Sequence, residues 1–297
     1  MTANKTFRWA AALTLGLAVV SFLAPAPCRA QVFTLSKDEL IELTPTTFER
    51  FPDGRPKVPD ALLERVKGLS SEEVGRSQFT DGFQILHPGM KMVGRAFTVA
   101  FMPARPELDG FARSRAQKAG INGLNNQTVI DMLQPGDVLC VDLFGKKQGG
   151  TIVGDNLFYY IMRATKGAGL VVDGSIRDLE GIATMEMPLY FMHSDPSAIG
   201  NATVVGWNIP VKIGTVTVLP GDVVMGDREG LNFLRPSEVE QIVNSADRTH
   251  IHDDWTRQQF DTGKYKSSEI YSSPRDPAKK KEYEDYSKKR LEELQKK

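Results

Sequence analysis

Apolar positions along the chain follow two spacings, a helical one of three to four residues and a strand-like one of two. Helical spacing first appears at Asp60-Ala-Leu-Leu-Glu-Arg-Val-Lys67, where Leu62, Leu63 and Val66 share a face and Pro59 stands at the start. Met92 to Met102 alternates and is rich in β-formers, which predicts a strand. Asn156 to Lys166 returns to helical spacing, with Leu157, Phe158, Ile161 and Met162 on one face, Gly154-Asp155 before it and Gly167-Ala-Gly169 closing it. Leu170-Val-Val172 then reads as a buried strand reaching Asp173-Gly174. Leu231 to Leu234 predicts another strand, and Pro236-Ser-Glu-Val-Glu240 a capping-box start for one more helix. Helices running straight into apolar strands predict an α/β fold.

Two segments share the pattern PGDVxxxDxxG, Pro135 to Gly145 and Pro220 to Gly230. Each is a Pro-Gly turn feeding a short buried strand, and Asp137 and Asp222 suit turn capping better than catalysis. The flanks differ from this centre. Residues 1–30 carry Lys5 and Arg8, an apolar run from Trp9 to Leu23, and small residues ending at Ala30, the pattern of an export signal cleaved before Gln31. The run is too short for a spanning helix, so no stable membrane insertion is expected after cleavage. Pro27 argues against a lipoprotein signal at Cys28. Residues 31–59 form a proline-dotted extended segment, 60–255 the compact domain, and 256–297 a charged C-terminal tail read as solvated. The expected location is periplasmic or secreted.

Charge narrows the function classes. The 37 basic and 37 acidic residues cancel, and beyond the signal the balance is −3, which leaves no electrostatic footprint for nucleic acid. No GxGxxG, P-loop, GxSxG or CxxC occurs, so nucleotide, serine-hydrolase and thiol-redox chemistry have no motif. After cleavage Cys140 is the sole thiol, in an apolar run.

The stretch from Gly154 to Asp178 carries the candidate chemistry. A helix start at Gly154, Asp155, Asn156 and Leu157 offers backbone amides to a carboxylate or phosphate. Arg177 adds a two-pronged clamp for the same group, and Asp178 can hold a hard divalent cation. An exposed ion pair and an N-cap are the plainer readings of these residues.

With Val93-Gly-Arg-Ala-Phe-Thr-Val, the two PGDV segments and Gly169-Leu-Val-Val-Asp-Gly-Ser-Ile-Arg-Asp178, the region from Asp60 to Ile242 resembles the RraA-like family. That family contains 4-hydroxy-4-methyl-2-oxoglutarate aldolases and regulators of ribonuclease activity. The resemblance implies a swivelling β/β/α sandwich, assembled as homotrimers or homohexamers with sites at subunit boundaries. It further implies a small 2-oxo acid substrate, with Arg177 binding pyruvate, Asp178 anchoring Mg²⁺ or Mn²⁺, and the amides of Gly154 to Leu157 holding the substrate. The family's aspartate twenty residues before Arg-Asp falls on Asn156, with Asp155 one place earlier. Either the helix start has slipped so that Asp155 takes this role, or an amide replaces the carboxylate.

The expected activity is therefore a divalent-metal-dependent aldolase or decarboxylase, with a non-enzymatic protein- or carboxylate-binding protein as the alternative. Lesser candidates are His250-Ile-His252-Asp-Asp254 as a metal site, His193 with Asp195 as substrate-selecting residues, and Asp173 at its strand end.

Overall fold

The computed structural model describes residues 30–75, 78–149, 152–272 and 274–295. The expected export signal, apart from Ala30, lies outside them, as does Cys28. In chain order the elements are α1 (Lys37–Leu43), α2 (Asp60–Lys67), α3 (Ser71–Val74), β1 (Phe79–Thr80), β2 (Gln84–Ile85), β3 (Met92–Pro103), α4 (Pro106–Lys118), α5 (Asn126–Ile130), β4 (Asp137–Asp142), α6 (Asp155–Thr165) and β5 (Gly169–Ile176). They continue with α7 (Leu179–Ile182), β6 (Leu189–Ser194), β7 (Ala202–Trp207), β8 (Val211–Ile213), β9 (Val216–Val218), β10 (Val223–Gly226), β11 (Leu231–Leu234), α8 (Val239–Asp261), α9 (Ser267–Ile270) and α10 (Pro277–Gln295).

The main sheet runs β1-β11-β10-β3-β4-β5-β6-β2, and its centre, β3 to β6, is parallel. β4 and the first half of β5 read as apolar runs because both faces of the sheet are covered there. Leu139 and Val141 of β4 join a core with Phe158 and Ile161 of α6 and Ala112 and Ala116 of α4. Val138 and Cys140 point the other way, into a core with Val211 and Ile213 of β8 and Phe233 of β11. Val223, Met225, Val66 and Val243 build a third layer beneath α2 and α8. The fold is a mixed α/β sandwich, as the sequence predicts. Among the described residues no helix is long and apolar enough to cross a membrane.

The PGDV repeats fold into the same device. Gly136 and Gly221 adopt positive φ, 83° and 87°, at the third position of the turn, where a side chain would be strained. Asp137 N–H donates to Gln134 O and its Oδ2 accepts the Gln134 N–H; Asp222 repeats both bonds with Leu219. The difference is in charge. Asp137 is met by Arg55, whereas Asp222 has no such ion pair among the described residues, and burial pushes its carboxyl up to about 7.

Three expectations differ from what the chain does. The segment before Pro59 contains α1, with a Ser36–Glu39 capping box, and sends Arg55 wholly into the core. The capping box at Ser237 does not form; a 3-10 turn, Pro236–Glu238, precedes α8, and Glu238 instead pairs with Arg235. The compact unit does not stop at Trp255, because α8 runs through it and α10 folds back. Tyr283 lies 5.2 Å from the Trp255 ring, and Gln258 Nε2 donates to the Tyr286 hydroxyl. Tyr283 and Tyr286, in the tail read as solvated, are this helix's seam against its own chain.

Candidate functional site

In open α/β sheets ligands bind beyond the carboxyl ends of parallel strands, and β5 ends at Ile176. Arg177 and Asp178 follow directly. Every residue leading to them is fixed. Asp173 Oδ2 accepts the Gly214 N–H at 2.9 Å and stands 3.4 Å from Lys212 Nζ, which ties the β8–β9 hairpin over the strand end. A Cβ on Gly174 would lie 2.7 Å from Leu143 Cβ, so only glycine lets the loop after β4 approach. The Ser175 hydroxyl donates toward Lys146 O and Lys147 O, at 2.6 and 2.7 Å. Asp178 then turns the chain with φ 59° and ψ 37°, a left-handed conformation that aspartate tolerates better than most residues.

The turn brings the Arg-Asp pair against the start of α6. Gly154 is its N-cap and has no side chain of its own to cap the first turn. A Cβ on Gly154 would collide with Asp178 Oδ2 and stand 2.8 Å from Arg177 Nε and 3.0 Å from its Nη2. The Asp155 N–H lies 3.4 Å from Asp178 Oδ2, and Arg177 Nε lies 3.5 Å from the same oxygen. These long contacts leave room for an anion to compete. Arg177 and Asp178 side chains are 33% and 39% exposed.

The neighbouring positions separate clearly. Asp155 is half-buried at the first turn, its Oδ1 accepting the Asn156 N–H at 2.7 Å, and its side chain touches the space beside Gly181. Asn156 is exposed, and Leu157 is half-buried against the core. Asp155 thus meets Asp178 through its backbone N–H, while its carboxylate caps its own helix start. At the other end of α6, Lys166 itself takes the left-handed conformation, with φ 57°, and Gly167 follows at 77°.

A divalent cation fits the donor set. Magnesium is held by one or two carboxylates together with water and substrate, rather than by a full protein cage. Asp178 is exposed, and among the described residues nothing hydrogen-bonds its Oδ1. Asp155 could add a contact through water.

The remaining candidates go elsewhere. His250 and His252 lie on α8 two residues apart, on nearly opposite sides of a helix. His250 Nε2 pairs with Glu73 Oε1, and His252 meets the Tyr283 ring edge-on at 5.3 Å. Among the described residues no cluster of three or more metal-ligating side chains forms. His193 lies within β6, in register with Ser175, which places it near the site. Asp195 N–H donates to Ile176 O at 3.0 Å, and its own carboxyl is held low first by Ser197. Burial drives the Cys140 thiol well above its ordinary value, so it is no nucleophile. Ser175 and Gly174 went unremarked in the sequence, although both lie in its most specific motif.

Comparison with known proteins places this geometry. A family model described as RraA-like, Aldolase/RraA, matches residues 56–232 and so contains the whole site. A Halalkalibacterium halodurans protein named "Putative 4-hydroxy-4-methyl-2-oxoglutarate aldolase" is 31% identical over 121 residues, 40% of this chain and 56% of that protein. An Ectopseudomonas mendocina protein of the same name is 33% identical over 104 residues, 34% of this chain and 62% of its own. The chain therefore spans less than two thirds of these curated relatives. The solved structure of Streptomyces coelicolor RraAS2, described as an unusual member of the RNase ES inhibitor RraA protein family, superposes with a TM-score of 0.57 at 29% identity, covering 68% of this chain and 98% of that one. With its match spanning more than half of the sequence, the chain belongs to the RraA-like, Aldolase/RraA family.

Proposed function

We propose that the protein is an exported, divalent-metal-dependent lyase that cleaves the C3–C4 bond of a 2-oxo acid, one bond removed from the oxo carbon, as an aldolase or decarboxylase that leaves a pyruvate enolate. The observation that carries this reading is the convergence of Arg177, Asp178 and the start of α6 around Gly154, where Asp178 makes only a long contact to the first amide. Arg177 clamps the substrate carboxylate with paired N–H donors. The amides of Gly154 to Leu157 face the same group, and the helix's positive end favours its charge. Asp178 would hold the cation, which when bound would supply Lewis-acid polarisation of the oxo group and positive charge opposite the enolate. Arg177 stabilises that developing charge from the other side. Asp155, at the edge of the site, positions the water that carries the proton. The names of the aldolase relatives support the lyase class, and the exposure of Arg177 and Asp178 suits a site completed by another copy in a trimer.

The test is pyruvate release from oxaloacetate and from 4-hydroxy-4-methyl-2-oxoglutarate, with Mg²⁺ and with chelator. Turnover that requires the metal and exceeds the metal-only rate is expected. Equal rates with and without protein on both compounds would favour the binding-protein alternative.

A further inference from the structure

We infer that a cleft between the N-terminal segment and the outer end of β3 binds an apolar monocarboxylic acid, at a place separate from the Arg177 site. The cleft has a volume of 630 Å³, within the range of small-molecule sites. Val32, Phe33 and Leu35 form one wall, and Phe101, Met102 and Ile209 the other. The first wall is held in place by backbone pairing, Phe33 N–H to Val205 O at 2.9 Å, and by Gln31 Oε1, which accepts the Trp207 N–H at 2.6 Å. The residues of this first wall precede Pro56, where the family match begins, so the cleft is closed on one side by a segment outside that match.

Two charged residues reach the cleft, and they differ in what they lack. Asp142 already accepts N–H bonds from Phe144 at 3.0 Å and from Lys212 at 3.2 Å, one on each oxygen. Burial raises its carboxyl, and its two oxygens are turned to those backbone donors. Arg115, on α4, rests over the Phe111 ring at 5.4 Å and has no carboxylate partner among the described residues. Other arginines beside or on that helix are engaged, Arg105 by Glu107 and Arg113 by Asp109. A half-buried, unpaired guanidinium beside an apolar cleft selects a planar anion that can accept two N–H bonds, and the cleft selects an apolar body attached to it. An alkyl or aryl carboxylic acid satisfies both.

The experiment is calorimetric titration of the protein with 4-phenylbutyrate and with its neutral amide. Saturable binding of the acid is expected, at least tenfold weaker for the amide and for Arg115→Gln, and unchanged in Arg177→Ala. Because Arg115 is on the surface of α4, its replacement leaves the fold intact, and circular dichroism verifies this. Equal affinity for acid and amide, unaltered binding by Arg115→Gln, loss of binding in Arg177→Ala instead, or no binding at millimolar acid would each overturn the inference. The outcome is independent of whether the protein turns over a 2-oxo acid.

Discussion

Arg55 and Asp137 meet in the core at 2.7 and 3.2 Å with neither side chain exposed, whereas Arg177 and Asp178 stand 3.5 Å apart with a third or more of each in solvent. The chemistry of the two pairs is the same. Arg55 also lies over the Phe51 and Phe97 rings, both at 4.9 Å, and bonds Asp53, so its donors are spent on the fold. Arg177 makes one long contact to its neighbour and has donors left for a ligand. Burial and geometry, not residue type, separate a structural ion pair from a binding one.

The contrast can be broken most forcefully from the buried side. Arg55→Ala strands Asp137 without its cation and should cost about 3–5 kcal/mol of stability, read by chemical denaturation. Arg177→Ala should lose under about 1 kcal/mol in the same assay. If both changes cost alike, the distinction fails. For activity the order reverses: Arg177→Ala should lower metal-dependent turnover roughly a hundred- to a thousandfold, the effect of removing a donor to a developing oxyanion.

The second PGDV turn sharpens the point, since Asp222 is buried without a direct ion pair among the described residues and feels Arg235 only at a distance. Its carboxyl titrates at about 7 in the fold against an ordinary 3.8, so its neutral form is the one the fold prefers. A raised folded value means stability is fullest below the unfolded value and declines as pH rises towards about 7, by at most about 1.4 kcal/mol per unit. Asp222→Asn should flatten that slope in denaturation between pH 4 and pH 7 conditions; an unchanged slope would assign it to other groups. The smallest effect is expected at Gly154. A methyl group there displaces Asp178 or Arg177, and Gly154→Ala should weaken substrate or analogue binding about tenfold, roughly 1.4 kcal/mol, with little change in melting temperature.

Much of the fold was legible because the central strands and α6 carry uninterrupted periodicity, and β3, β5 and β11 fall where the pattern puts them. The site's members were legible through one motif, Asp173 to Asp178. What escaped was long-range. Arg55 lies 82 residues from Asp137, and nothing local marks an arginine in a proline-dotted segment as a core residue. Trp255 and Tyr283 likewise join across a turn, so a sparse apolar stripe looked solvated when its partner was simply elsewhere in the chain. At the start of α6 the sequence left Asp155 and Asn156 both open, because spacing along the chain does not say where the helix begins; the fold half-buries the first and exposes the second.

Oxalate is a planar, unreactive mimic of the pyruvate enolate, so its binding reports on the site without knowledge of the natural substrate. Calorimetric titration with oxalate, with and without Mg²⁺, on the unaltered chain, Arg177→Ala and Asp178→Ala tests the central claim most directly. Binding that requires Mg²⁺, disappears in Asp178→Ala and weakens at least tenfold in Arg177→Ala is the predicted result. Binding that is indifferent to the metal and to both substitutions would contradict the assignment of this pair as the working site.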